Sequence, residues 1–338
     1  MAQFLALGKA MRRRDFMLLL SGAIAASSTE TAAQQGDRTR RIGVLMGIDE
    51  NDPEAKPRRE ALENGIKELG WTGDRIHLDY RWTGGDVDRT RLFAREIVEL
   101  KPDAIVVHST PAVKELRQLT STIPMVFVLI ADPIGSGFVA SLNHPGGNLT
   151  GFMNVDAPMA SKWLELIKEV APTIKRVALI YNPRTSPYQS FLNLFDESAP
   201  KLHVEAIATP VHDAAEIKDA IAAIGGEADS ALFVVPDVFV QVHRELIIKL
   251  AAQYRLPAIY PYRFFVTSGG LMSYGIDTII VFRQAASYVD RILKGALPAD
   301  LPVQAPATFR LVVNLAAAKA IGLTIPESFL MRADEVIE

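Results

Sequence analysis

The feature that constrains the fold most is a regular alternation of short apolar runs and amphipathic helical patterns after residue 40. The apolar runs are rich in β-branched residues and predict buried strands, whereas apolar residues spaced three and four apart predict helices. The connections are too short for anything but crossovers, so this order predicts parallel sheets with helices on both faces. The first series has predicted strands at 41–48, 75–82, 103–109 and 123–130 and predicted helices at 54–70, 89–100 and 111–120.

A segment dense in Gly, Pro and Asn interrupts the alternation at residues 131–152 and is predicted to be a loop or a domain junction. The alternation then restarts and builds a second half of similar size. Its predicted strands lie at 175–181, 201–209, 230–236 and 257–260, and its predicted helices at 159–172, 186–200, 214–224 and 238–254. The tail, too short for a third core, has a strand at 269–275, a helix at 278–295, an extended stretch at 301–314 and a helix at 315–322.

The tail pieces most simply complete the two sheets, which makes the chain cross between the halves more than once. The predicted fold class is therefore α/β, with two doubly wound parallel-sheet lobes joined by a multi-segment hinge. We assign residues 41–150 and about 275–303 to the N-terminal lobe, and residues 151–274 and about 304–338 to the C-terminal lobe. A hinge between two such lobes creates a cleft for a ligand.

The N-terminus has the composition of an export signal. Arg12, Arg13 and Arg14 precede the apolar run at 16–26, and polar and small residues follow it. This order predicts a secretory signal peptide over residues 1–33, and its arginine pair is similar to the twin-arginine export pattern. The alternative is a buried or membrane-anchoring helix, but eleven apolar residues span only about 16 Å of a hydrocarbon core of about 30 Å.

Composition and motifs exclude several classes of function. The chain has no cysteine, which excludes disulfides, thiolate metal sites, cysteine nucleophiles and a lipid-bearing cysteine. Its 36 basic and 39 acidic side chains give a net charge of −3, which argues against a nucleic-acid partner. The six histidines show no metal-ligand spacing, and the sequence lacks a G-x-S-x-G elbow, a P-loop and a G-x-G-x-x-G loop. We therefore expect no enzymatic activity, no metal and no cofactor.

Candidate binding residues follow the predicted strands, because ligands of open parallel sheets bind outside the carboxyl ends of the strands. Ser109 and Thr110 follow the third strand and precede Pro111. They predict a helix start whose free N–H groups favour a carboxylate, or simply an N-cap. Asp132 follows the fourth strand, where a carboxylate suits either a ligand ammonium or the start of a turn.

The second half supplies three further candidates. Asn182 follows a predicted strand and suits either a polar ligand or an Asx turn. Asp237 follows a further predicted strand and is either a ligand-binding carboxylate or a helix N-cap. Among the tyrosines near the hinge, Tyr274 lies between glycines on a crossing segment, so we favour it over Tyr260 and Tyr262 for stacking on a ligand, although tyrosine is also ordinary packing material.

A family resemblance is carried by four segments: TSTIPMVFVLIADPIGSGFVASLNHPGGNLTGF (120–152), RVALIYNP (176–183), GGLMSYGID (269–277) and NLAAAKAIGLTIPESFLMRADEVIE (314–338). The chain resembles the periplasmic substrate-binding proteins of ABC transporters in the tryptophan/tyrosine-binding group, which have a type I periplasmic-binding fold. The resemblance runs from RIGVLMG (41–47) to the C-terminus.

The resemblance implies that a small carboxylate-bearing solute, an amino acid or an aromatic compound, is captured between two closing lobes. It implies delivery to an ABC permease and its ATPase subunits in the inner membrane. Because no cysteine is present to carry a lipid, a freely soluble periplasmic protein is implied. A monomer is expected. The resemblance implies that the ligand carboxylate and amine contact Ser109, Thr110 and Asp132. It implies that the second lobe and the hinge close on the ligand with Asn182, Asp237 and Tyr274.

Two alternatives to solute import stay open at this point. An enzyme in the same fold requires a nucleophile and base or a cofactor loop, which the sequence lacks. A ligand-sensing periplasmic domain that acts with a membrane receptor, rather than a permease, uses the same two-lobed fold. A repressor is disfavoured, since the predicted export signal occupies the place of a DNA-binding segment.

Overall fold

The structure, a computed structural model, describes residues 38–156, 158–185 and 188–338. The predicted signal peptide at 1–33 lies outside the described residues. Within the described ranges, no helix combines the length and the apolar character needed to cross a bilayer.

In the described part of the chain, five parallel strands form the first sheet in the order β2-β1-β3-β4-β5. The three inner strands are buried over most or all of their length, which explains why they are near-continuous apolar runs in the sequence. The strands are β1 (Arg40–Met46), β2 (Ile76–Trp82), β3 (Ala104–His108), β4 (Met125–Ile130) and β5 (Leu149–Met153). The helices between the first four strands are α1 (Ala55–Glu68), α2 (Val87–Glu99) and α3 (Thr110–Leu119).

Among residues 158–185 and 188–338, seven strands form the second sheet in the order β12-β11-β10-β9-β8-β6-β7. All pairs are parallel except β10 with β11. The strands are β6 (Arg176–Tyr181), β7 (Glu205–Pro210), β8 (Ser230–Val234), β9 (Ala258–Tyr260), β10 (Met272–Gly275), β11 (Arg310–Asn314) and β12 (Glu335–Ile337). Its helices are α4 (Met159–Val170), α5 (Gln189–Ser198), α6 (Ala214–Gly225), α7 (Val238–Val242), α8 (Arg244–Gln253), α9 (Arg263–Thr267), α11 (Leu315–Ala320) and α12 (Glu327–Leu330).

The helix α10 (Thr278–Leu293) returns from the second sheet to cover the first. It packs against α1 so closely that a Cβ on Gly65 would lie 2.8 Å from the Cβ of Ala286. The Trp71 indole N–H donates to Asp290 Oδ1 at 2.9 Å and holds the end of α1 to α10. The chain therefore passes between the sheets after β5, after β10 and again before β11. The predicted fold class, two α/β lobes with a multi-segment connection, is confirmed.

Several element boundaries differ from those predicted. Strand β5 forms inside the segment predicted to be a loop, because the exposed edge of β4 accepts it as a parallel partner. The first sheet thus extends to Met153, beyond the boundary predicted after residue 150. The single helix predicted at 238–254 is divided at His243 into α7 and α8, and the short strand β12 was not predicted.

Gly151 allows β5 to pair with β4. Its φ is +152°, and a Cβ there would lie 2.0 Å from the carbonyl oxygen of Phe127. Both the backbone conformation and the close approach therefore require glycine.

Replacing Gly151 by alanine is expected to lower the free energy of unfolding by about 3 kcal/mol or more, because backbone strain and steric overlap act together. Gly147 is the matched control: its φ is also positive, at +73°, but nothing lies within 4 Å of a Cβ built on it. Gly147→Ala should therefore cost only about 1 kcal/mol. Urea unfolding of both variants measures the difference, and equal losses would exclude the contact with β4 as the cause.

Candidate functional site

A small cavity lies where the carboxyl ends of strands from the two sheets face each other. It measures about 20 Å³, room for about one water molecule. Its lining includes residues from the end of β3 and the start of α3, from the segment after β5, and from the loops after β6 and β8. Both sheets therefore contribute polar side chains to one enclosed space.

His108 is a neutral hydrogen-bond donor in this lining. The ring is buried, and Nδ1 accepts from the backbone N–H of Gly47 at 3.2 Å. Burial, with a smaller effect from the charge of Arg58, holds the pKa of His108 well below its ordinary value. The ring is therefore neutral and carries its proton on Nε2.

Ser109 and Thr110 place the N-terminus of α3 at the cavity. Ser109 has a φ of +94°, an uncommon conformation for a residue other than glycine, of the kind found at functional sites. Its hydroxyl makes no capping bond to α3 among the described residues, so the side chain is not used as an ordinary N-cap. Gly47 fits between Ser109 and Val238 of the second sheet, since a Cβ there would lie 2.8 Å and 3.0 Å from them.

Gln241 and Arg58 form a second donor group beside the first. Arg58 on α1 is fully buried, and its guanidinium lies over the rings of Phe264 and Phe282 at 5.6 and 5.7 Å. With the Gln241 amide turned so that its oxygen faces this cation, the two nitrogens of the guanidinium donate to it at 3.0 and 3.2 Å. The amide NH₂ of Gln241, which lines the cavity, then remains to donate to a ligand.

Glu54 is the carboxylate paired with Arg58, at 3.9 Å, too long for a hydrogen bond. Burial raises the pKa of Glu54 and lowers the pKa of Arg58. The positive charge of Arg58 thus lies behind Gln241 and is only weakly neutralised by Glu54. This charge favours an anion in the cavity.

Asp237 supplies the opposite charge, one turn before Gln241 at the start of α7. Its Oδ1 accepts from the backbone N–H of Phe239 at 2.6 Å, and its Oδ2 accepts from the Thr185 hydroxyl and from the Tyr188 hydroxyl, the latter at 3.4 Å. No Lys, Arg or His nitrogen of the described residues pairs with it within 4 Å. Burial raises the pKa of Asp237 to about 6.

A buried ion pair joins the two lobes next to the cavity. Arg244, the first residue of α8, donates to both carboxylate oxygens of Asp52 at 2.7 and 3.2 Å. The two side chains are only 8% and 9% exposed. Arg244 also donates to the backbone carbonyl of Gln241 at 2.9 Å. Asp52 lies in the loop after β1 of the first lobe, and Arg244 lies on α8 of the second lobe. This pair therefore joins the two lobes when the cleft is closed.

A larger groove of about 500 Å³ runs along α10 beside the crossing segment at 304–310. Its charged residues Asp277 and Arg310 lie 3.9 Å apart and are 32% and 53% exposed. Unlike the 20 Å³ cavity, it brings together no buried charge without a partner among the residues described, so we assign the functional site to the smaller cavity. The described residues also contain no cluster of His, Asp or Glu able to hold a metal ion.

A family model described as ABC transporter substrate binding protein matches residues 41–337. The chain belongs to this family. Its members are solute-binding proteins of ABC transporters, so this binding protein is not an enzyme, takes a small-molecule ligand and acts with ABC transporter partners.

A curated relative and two solved structures support the same group. The tyrosine-binding protein of Clostridioides difficile strain R20291 is 25% identical over 301 residues, which cover 88% of this chain and 85% of that protein. The structure of the ABC domain in complex with L-Trp from Streptococcus pneumoniae matches with a TM-score of 0.82 and 28% identity, over 88% of this chain and 100% of that one. A conserved domain protein from Vibrio cholerae matches with a TM-score of 0.82, 31% identity and the same coverage. The resemblance to the tryptophan/tyrosine-binding group is confirmed.

The cavity of the binding protein contains part of the candidate set. Ser109, Thr110 and Asp237 line it. Asn182 lies outside the lining that the described residues form, because it makes the Asx turn that was its alternative: its Oδ1 accepts from the Arg184 N–H at 2.9 Å. Its carbonyl accepts from the Thr185 hydroxyl at 3.0 Å, so Asn182 positions the threonine that contacts Asp237.

Asp132 and Tyr274 also lie outside this lining and have local structural roles. Asp132 makes the predicted alternative, a turn, in which its Oδ1 accepts from the Gly135 N–H at 2.7 Å. Its Oδ2 accepts from the Ser190 hydroxyl at 3.1 Å, a contact with α5 of the second sheet. The Tyr274 ring stacks on Phe309 at 5.6 Å, which is ordinary packing. The ligand-binding role of these residues stays a prediction, and the geometry does not favour it.

Sequence reasoning missed six polar residues of the cavity, and four of them show the two reasons. Asn154 follows β5 directly, and the strand-end rule would have selected it had that strand been predicted. His108 is the last residue of β3, and Gln241 and Tyr188 lie on or beside helices, where no local pattern separates a cavity residue from a core residue.

The raised pKa of Asp237 predicts a pH-dependent stability. The neutral carboxyl favours the folded protein below about pH 4, and this contribution is lost as the pH rises through about 6. The difference between 3.8 and about 6 corresponds to about 3 kcal/mol. Asp237→Asn, which stays neutral, should therefore gain about that much stability relative to the wild-type protein between about pH 4 and pH 7. Urea unfolding over this range measures the gain, and a pH-independent difference between the two proteins would contradict it.

Proposed function

We propose that this protein is the periplasmic binding component of an ABC importer and that it captures a zwitterionic amino acid, an aromatic one in particular. The observation that carries this proposal is the polarity of the cavity. Its lining combines donors, at the start of α3 and on His108 and Gln241, with the carboxylate of Asp237, which has no cationic partner among the described residues. A ligand carboxylate matches the donors, and a ligand ammonium matches the carboxylate.

Closure strengthens this recognition. The cavity is buried between the sheets, where hydrogen bonds to charged groups are stronger than in water. The ammonium of the ligand supplies the cation that Asp237 lacks, and the ligand carboxylate supplies an anion for the buried charge of Arg58 behind Gln241. An amino acid therefore neutralises both buried charges at once.

The shut cleft requires an opening motion for ligand entry. A cavity of about 20 Å³ is far smaller than any amino acid, so the lobes must separate before a ligand enters. The crossing segments after β5, after β10 and before β11 are the places where the chain can bend, and we take residues 154–156, 276–277 and 302–309 as the hinge. With this division, the first lobe ends at Met153.

The aromatic class, the location and the transport partners follow from the family and the sequence. Relatives are named for tyrosine binding or are solved with L-Trp, which supports an aromatic amino acid here as well. The predicted signal at 1–33 and the lack of cysteine support a soluble, monomeric periplasmic protein that delivers to an ABC permease and its ATPase. The ligand-sensing alternative has the same cleft, and no specific contact favours it.

Replacing each of two carboxylates in turn by its amide tests which of them binds the amine of the ligand. Asp237→Asn should weaken binding of L-tryptophan and L-tyrosine by about 30-fold or more, because a buried charge-assisted bond is lost. Asp132→Asn, a change of the same chemistry in a partly exposed turn, should change the affinity less than about threefold. Isothermal titration calorimetry measures both. The reverse order of effects would return the amine-binding role to Asp132, as the resemblance implies.

The ion pair between the lobes should control affinity. Arg244→Met leaves Asp52 without its partner in the closed cleft, so affinity should fall by about 10-fold or more. Adding Asp52→Asn removes the unpaired charge and should recover part of the loss. The control is Arg283→Met, because its pair with Glu68 is 60% and 55% exposed and should leave affinity unchanged. Equal effects of the two arginine changes would exclude a closing role for Arg244.

A further inference from the structure

Asn154 has an unused hydrogen-bond acceptor in the cavity. The residue is 5% exposed and follows β5 on the segment that crosses to the second sheet. Its Nδ2 donates to the Tyr262 hydroxyl at 2.9 Å and to the Pro236 carbonyl at 3.2 Å. Its Oδ1 is buried and has no hydrogen-bond partner among the described residues. Buried amide oxygens of this kind are rare in folded proteins, because they lose their bonds to water without replacement.

The surroundings fix which end of the amide faces the cavity. Both N–H groups of Asn154 are used, one on Tyr262 and one on Pro236. Turning the amide over would bring Oδ1 against the carbonyl oxygen of Pro236, and two acceptors would then face each other. The acceptor of Asn154 therefore stays available to a ligand in the cavity that the residue lines.

Hydrogen bonds that share the Pro236 carbonyl group connect Asn154 with the surroundings of Asp237. The Pro236 oxygen accepts from Asn154 Nδ2 and also from the Tyr188 hydroxyl, at 3.0 Å. The same hydroxyl lies 3.4 Å from Asp237 Oδ2. A ligand group that approaches the Asp237 carboxylate therefore also meets an uncharged acceptor. A primary ammonium has three N–H donors and can bond to both, whereas a hydroxyl has one.

We infer that Asn154 is a specificity-determining residue, which accepts an N–H of the ligand's primary ammonium on Oδ1 and makes the cleft select amino acids over the same acids without the amine. The inference rests on the proposed function, since it concerns the amine of the ligand proposed above. An acid without the amine leaves both Asn154 and Asp237 without a donor in the closed cleft. Sites built to bond a polar group reject analogues that lack it for this reason.

The test compares matched ligand pairs by calorimetry on the full chain. The pairs are L-tyrosine with 3-(4-hydroxyphenyl)propionate, and L-tryptophan with 3-(indol-3-yl)propionate. In Asn154→Leu, the ratio of the two Kd values in each pair should fall by about 10-fold or more, the effect of losing one bond to a charged group. Affinity for the acids without the amine should change much less.

Asn314→Leu is the matched control. Asn314 is also a buried asparagine, but its oxygen accepts from the Ala317 N–H and its NH₂ donates to the Val266 carbonyl, away from the cavity. Asn314→Leu should lower the free energy of unfolding without changing the ratio of the two Kd values in each ligand pair. An unchanged ratio in Asn154→Leu, or an equal fall in Asn314→Leu, overturns the inference and leaves the proposed function intact. A wild-type protein that binds neither amino acid overturns both.

Discussion

The ion pair between Asp52 and Arg244 is the contact on which the closed arrangement of the two lobes depends. Its partners come from the loop after β1 and from α8, and both are almost completely buried. Charges removed from water in this way are stable only when they are paired with good geometry, and this pair is bidentate. Because separation of the lobes would return both charges to water, the pair adds little to the stability of either lobe and acts on the opening equilibrium instead.

Near this pair the protein buries one charge that it pairs weakly, on Arg58, and one that has no cationic partner among the described residues, on Asp237. Arg58 is fully buried between two phenylalanine rings, and its nearby carboxylate, Glu54, lies beyond hydrogen-bond distance. Asp237 is buried with hydroxyl and backbone donors only. A weakly paired cation and an anion without a cationic partner are costly to bury, and the proposed zwitterionic ligand supplies a partner for each. The same arrangement explains how binding and closure are linked.

The family resemblance and the geometry agree on the class of protein and differ on Asp132, Asn182 and Tyr274, which lie outside the cavity lining. The difference at Asp132 concerns the ligand amine. By position, the resemblance implies that Asp132 contacts the ligand in the first lobe. In the structure Asp132 accepts from its own turn and from Ser190, while Asp237 has the environment that an ammonium-binding carboxylate requires. A carboxylate that already has donors in a partly exposed turn gains less from a ligand cation than one that is buried without a cation.

The sequence by itself determined the α/β fold, the two halves and part of the site. The strand and helix periods are local, and the strand-end rule selected Ser109, Thr110 and Asp237 because parallel strands end on one edge of a sheet. Only the tertiary structure decided the rest. Strand β5 exists because β4 offers it an edge, and Asn154 enters the cavity because β5 exists. Arg58, Gln241 and Arg244 lie on helices whose local patterns are those of ordinary helices. Gln241 meets Arg58, 183 residues away in the chain, and Arg244 meets Asp52, 192 residues away, only when the two lobes close on each other.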